Sequence, residues 1–162
     1  MDILHPLING FLIACQPLNL VLIMVGCTLG LFIGVIPGLG SVNGVAILLP
    51  MTFLVPPTSA IIFLGAIYYG AMYGGAISSI MLGIPGASTA VATTFDGRPL
   101  ALQGKADQAL TAAAIASFVG GTISVVLFTL FAQPMAKFAL AFGPPEQFAL
   151  MLLAFATFVG LG

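Results

Sequence analysis

The chain has 162 residues, 60% hydrophobic and 4% charged, with a formal net charge of −1. A soluble domain carries about 25% charged residues to keep its surface wetted, so this composition excludes a water-soluble globular protein. With no basic cluster in the chain, nothing suggests a nucleic-acid partner.

The seven charges are Asp2, Asp96, Arg98, Lys105, Asp107, Lys137 and Glu146, and none lies between Asp2 and Asp96. The expected fold is an all-α integral membrane protein, a single transmembrane domain over residues 1–162. It has about four to six transmembrane or half-spanning helices. The first apolar run, Ile3 to Cys15, lacks the basic start and small-residue cleavage site of a signal peptide. It reads as an interfacial helix or the opening of the first helix. Leu18 to Ile36 approaches the roughly 20 apolar residues that a crossing helix needs. Within it Gly26, Gly30 and Gly34 share one face, where small residues admit a neighbouring helix.

Next comes Ile36-Pro37-Gly38-Leu39-Gly40-Ser41-Val42-Asn43-Gly44. Proline followed by three glycines should break a helix. Val45 to Val55 is apolar but too short to span alone, as suits a half-helix or re-entrant segment. Ala60 to Ile84 is the second full span. Its Tyr68, Tyr69 and Tyr73 read as interfacial or bonded within the core, with Tyr73 lining a polar pathway as the sharper alternative. Met72 and Met81 read as core filler. A second break, Gly83-Ile84-Pro85-Gly86-Ala87-Ser88-Thr89, repeats the Ile-Pro-Gly core. Two helix–break units of this kind suggest a helical-hairpin pseudo-repeat.

Asp96 to Gln108 is the most polar stretch and is expected to be a loop. Its Arg98 and Lys105 outnumber Lys137 in the connection Pro134 to Gln147, which favours the cytoplasmic side for 96–108. Ala109 to Gln133 is a third span, and Phe148 to Leu161 a fourth, cut short by the end of the chain. Glu146, after Gly143-Pro144-Pro145, suits a helix first turn, where a carboxylate favours the dipole. Cys15 and Cys27 lie in apolar surroundings and read as packing residues.

The candidate site lies at the breaks. Unpaired backbone groups are tolerated in a membrane only where protein or water satisfies them. Half-helix starts there present free N–H groups to anions. Ser88 and Thr89 can cap a helix beginning after Pro85-Gly86, and Ser41 and Asn43 hold the comparable place after Pro37-Gly38. With the N–H groups of Gly38, Gly40 and Gly86, these side chains can coordinate a carboxylate without a buried arginine. The competing reading makes each break a plain turn between helices. No catalytic or metal-binding residues are identified. One histidine, His5, and no carboxylate from residue 3 to 95 argue against an enzyme.

Several motifs together carry a family resemblance. Gly30, Gly34 and Pro37-Gly38-Leu39-Gly40 form the first. Tyr69-Gly70-Ala71-Met72-Tyr73-Gly74-Gly75 running into Ile84-Pro85-Gly86 is the second. Ala90 through Ala101, Gln103-Gly104-Lys105-Ala106 and Gly143-Pro144-Pro145-Glu146 complete the set. From about Pro17 onward the chain resembles the large membrane subunit of tripartite tricarboxylate transporters, the TctA type. The resemblance implies a multi-pass protein of the bacterial inner membrane that imports carboxylates such as citrate. It implies no cofactor, a coupling cation (sodium or proton), and two partners: a small membrane subunit and a periplasmic solute-binding protein. Family proteins are far longer, so the chain is expected to be an amino-terminal portion. The alternative is a truncated, non-transporting fragment with a structural or assembly role.

Overall fold

The computed structural model describes residues 4–140 and 142–161. Its elements in order are α1 (Leu4–Ala14), α2 (Pro17–Val35), α3 (Gly40–Leu48) with a following 3-10 segment (Leu49–Leu54), α4 (Pro57–Leu82), a 3-10 turn (Ser88–Ala90), α5 (Val91–Leu102), α6 (Ala106–Leu140) and α7 (Pro144–Leu161). Among the described residues there is no strand, as the all-α expectation required. Proline opens α2 and α4, where its missing N–H is one that the helix would leave unpaired anyway. Gly83 closes α4 in the left-handed conformation, φ 73°, its N–H returned to Ser79 O at 3.1 Å.

Among the described residues, three helices are long and apolar enough to cross a bilayer: α2, α4 and the Ala106–Ala132 stretch of α6. A fourth apolar stretch, Pro134–Leu140 with Pro144–Gly160, is sharply bent. The described chain divides into two compact units, Met1–Ser117 and Phe118–Gly162, and the boundary falls inside α6. The second unit has no buried residue among those described. Its Phe128, Phe131, Phe155 and Phe158 are all exposed.

The first unit is organised by a seam between α2 and α4. Gly26 abuts Phe63 and Ala66, Gly30 abuts Ile67, and Gly34 abuts Ala71. Residue numbers rise together on both sides, so the two helices run parallel. The glycine face is reciprocal, because Gly70 meets the carbonyl of Cys27 and Gly74 that of Leu31. A side chain at Gly30, Gly34, Gly70 or Gly74 would collide with backbone carbonyl oxygen. Such close approach allows Cα–H···O contacts worth about 0.5–1 kcal/mol each, the kind of association that works where lipid removes the hydrophobic drive. Ile67 and Ala71, fully buried, fill the seam on the α4 side. Ser78 and Ser79, also buried, donate their hydroxyls to Gly75 O at 3.0 and 2.8 Å.

Parallel packing requires the chain between the two helices to return. Ser41, at the start of α3, lies beside Met72, and Gly44 packs on Ile33. From there α3 and its 3-10 continuation descend to Pro57, where α4 begins. The apolar run at 45–55 is this return segment.

Three expectations need correction. The stretch 96–108 is not mainly a loop, since α5 reaches Leu102, α6 starts at Ala106 and only residues 103–105 connect them. Pro99 removes the N–H that would bond to Phe95 O. The helix holds because Gly97 packs tightly on Ile80 and the Arg98 guanidinium donates to Met81 O. Pro134 likewise lies inside α6. A helix in lipid has no water to take over its backbone groups, so continuing past one missing bond is favoured over fraying. Finally, no side-chain cap hydrogen bond forms at the starts of α3 or of the Ser88–Ala90 turn. The hydroxyls of Ser41 and Thr89 point elsewhere. Glu146 does fall in the first turn of α7.

Candidate functional site

Both Pro-Gly breaks open onto one cavity of about 370 Å³, within the roughly 300–1,000 Å³ typical of small-molecule sites. From the first break it is lined by Gly38, Leu39, Gly40, Ser41 and Val42, and from the second by Pro85, Gly86, Ala87, Ser88 and Thr89. Tyr68 and Met72 of α4 complete the wall. These two residues flank the midpoint of the 26-residue α4. At 1.5 Å per residue α4 is about 39 Å long, so Tyr68 and Met72 lie about 15 Å or more from either end of that helix.

Two helix starts converge here. The N–H groups of Gly40, Ser41 and Val42 have no acceptor one turn back within α3, as at any helix start. The same holds for Ser88 and Thr89 at the start of the 3-10 turn that leads into α5. Each start carries a partial positive charge from aligned peptide dipoles. No residue lining the cavity is charged. The lining is thus uncharged, and the hydroxyls of Ser41, Tyr68, Ser88 and Thr89 stand among glycine and apolar residues.

The second break is held by backbone contact. A Cβ on Gly86 would lie 2.7 Å from both Gly75 Cα and Ser78 Oγ and would strike the Gly34 carbonyl. The glycine thus locks the second break onto the end of α2 and the side of α4 at once.

Six of the seven residues expected from the sequence line the cavity: Gly38, Gly40, Ser41, Gly86, Ser88 and Thr89. Asn43 does not. It is exposed, and its amide donates to Leu39 O at 2.7 Å, one turn back in its own helix. Tyr73 is also away from the cavity, with its hydroxyl on Leu110 O of α6 at 3.3 Å. Sequence reasoning missed Tyr68 and Met72. Their spacing, one turn apart on the face that follows the glycine seam, was the available signal. Met72 Sδ accepts from Ser41 Oγ at 3.4 Å and from Thr89 Oγ1 at 3.8 Å, one hydroxyl from each break.

Comparison with known proteins agrees with this arrangement of motifs. Residues 20–162 match the model of the tripartite tricarboxylate transporter TctA family. A relative in Agrobacterium vitis, described as an uncharacterized 52.8 kDa protein in the TAR-I ttuC' 3' region, is 42% identical over 161 residues. That alignment takes in 99% of this chain and 32% of the relative, so the chain spans about a third of the relative's length. No solved structure matches it. With all but its first residues matched, this chain belongs to the tripartite tricarboxylate transporter TctA family.

Proposed function

We propose that this chain forms part of the membrane subunit of a cation-coupled secondary transporter that imports tricarboxylates or related carboxylates. In this reading it works in the bacterial inner membrane with a small membrane subunit and a periplasmic solute-binding protein. The cavity at the two breaks binds a substrate carboxylate. α2–α3 and α4–α5 then act as discontinuous helices whose half-helix starts face the substrate. The observation that carries the reading is the meeting of two uncapped helix starts, with Ser41, Ser88 and Thr89, in one uncharged cavity halfway along α4. Four hydroxyls, those of Ser41, Tyr68, Ser88 and Thr89, with no histidine or carboxylate among the lining residues favour binding and release over hydrolysis.

The test is uptake of labelled citrate and related carboxylates by cells lacking their own importers. These cells express the gene's full reading frame with the adjacent small subunit and binding protein. Cation-dependent uptake is expected, lost in the triple variant Ser41→Ala/Ser88→Ala/Thr89→Ala and retained in Asn43→Ala. Unchanged uptake by the triple variant would remove the site assignment. Absence of uptake for every carboxylate, with expression verified, would leave the assembly role, for which the α2–α4 seam suffices.

A further inference from the structure

The two hydroxyls on Met72 carry a consequence for how a ligand enters. Ser41 is buried at 6% exposure, and its hydroxyl points to Met72 Sδ at 3.4 Å. Thr89, on the other break, points to the same sulfur at 3.8 Å. A thioether is a weak acceptor, whereas hydrogen bonds to an ionised carboxylate are about twice as strong as neutral ones. The α4 backbone around Met72 is fixed, because Gly70 and Ala71 are locked against α2. The sulfur end of the side chain, on three rotatable bonds, is the adaptable part.

We propose that Met72 is a positioning residue that holds the Ser41 and Thr89 hydroxyls in the empty site and yields both to an incoming carboxylate. The thioether keeps the two donors aimed into one place and links the two breaks before substrate arrives. Its weakness makes the exchange favourable, where a stronger acceptor would compete with the ligand. This rests on the reading of the cavity as an anion site.

The test uses the full-length protein with methyl-labelled methionine, the Met72 signal being assigned with Met72→Leu. In the ligand-free protein that signal should shift on Ser41→Ala and on Thr89→Val. Citrate should move the wild-type signal toward its position in the Ser41→Ala/Thr89→Val double variant. Met72→Gln places a strong carbonyl acceptor at nearly the same length and should raise the Kd for citrate about tenfold. Met72→Leu, which has no acceptor, should leave the Kd unchanged or lower it. In the Ser41→Ala/Thr89→Val background, Leu and Gln should bind alike. A methyl signal indifferent to both hydroxyl substitutions overturns the proposal, as do equal effects of Leu and Gln in the wild-type background, since packing alone treats the two as similar. A signal that answers to the hydroxyls but to neither citrate nor any related carboxylate overturns the handover and the anion-site reading together, while leaving the contact in place.

Discussion

The two breaks share the sequence Ile-Pro-Gly but send the chain in opposite directions. At the first, α2 ends at the cavity and α3 folds back toward the start of α4. At the second, α4 runs ten residues past Met72 before it stops at Leu82. Residues 83–87 then backtrack, so that Ala87 lies beside Gly75, and α5 resumes in the direction of α4 until Gly97 rests on Ile80. The glycines do different jobs as a result. Gly38 has φ 86° and nothing within 4 Å of where a Cβ would stand, so it supplies conformation. Gly86 has no unusual φ but no room, so it supplies the absence of a side chain. One short motif therefore serves a turn in the first case and a wedge between two helices in the second.

Substitutions can break this contrast. The largest effect is expected at the wedge and the seam. Gly86→Ala or Gly34→Ala forces a methyl into backbone and should destabilise by about 3 kcal/mol, the upper end for overpacking. Thermal unfolding in detergent and the yield of folded protein report this. Gly86→Ala with wild-type stability would contradict the wedge. Gly38→Ala should cost less, about 1–2 kcal/mol from the left-handed conformation alone, and Gly38→Asn should recover part of that. Equal losses for Ala and Asn at 38 would point to contact instead of conformation. Ser41→Ala and Thr89→Val should leave stability alone and weaken carboxylate binding by about two- to tenfold each, the worth of one hydrogen bond. The smallest effect is expected in the second unit. Gly120, with nothing within 4 Å, should accept alanine with a gain of up to about 1 kcal/mol in helix propensity.

Much of the first unit was legible because lipid imposes strict rules on sequence. The runs Leu18 to Ile36 and Ala60 to Ile84 lie within three residues of α2 and α4, since apolar length and proline starts delimit a crossing helix. The Gly26, Gly30 and Gly34 face announced a close partner. Its match to Gly70 and Gly74, in parallel, could not be read, because direction depends on where the 40–54 segment returns the chain. The helical part of 96–108 was hidden by Gly97 and Pro99, which local propensity assigns to a loop and which contacts to Ile80 and Met81 override. At the candidate site, the breaks pointed to backbone that lines one cavity. Met72 was read as core filler because its one-turn spacing from Tyr68 gains meaning only once the two breaks are known to meet beside it. Asn43 was included by position alone, whereas its side chain is satisfied within α3.

The central claim is that the two breaks form one site. It is tested most directly by substrate protection of engineered thiols. Val42→Cys and Ala87→Cys, one on each break and both lining the cavity, are made separately in full-length protein with Cys15 and Cys27 replaced by alanine. Labelling by a small thiol reagent is then followed against rising citrate. Protection of both positions with the same half-saturating concentration is predicted. Protection of one position with the other labelled at its ligand-free rate would contradict a shared site.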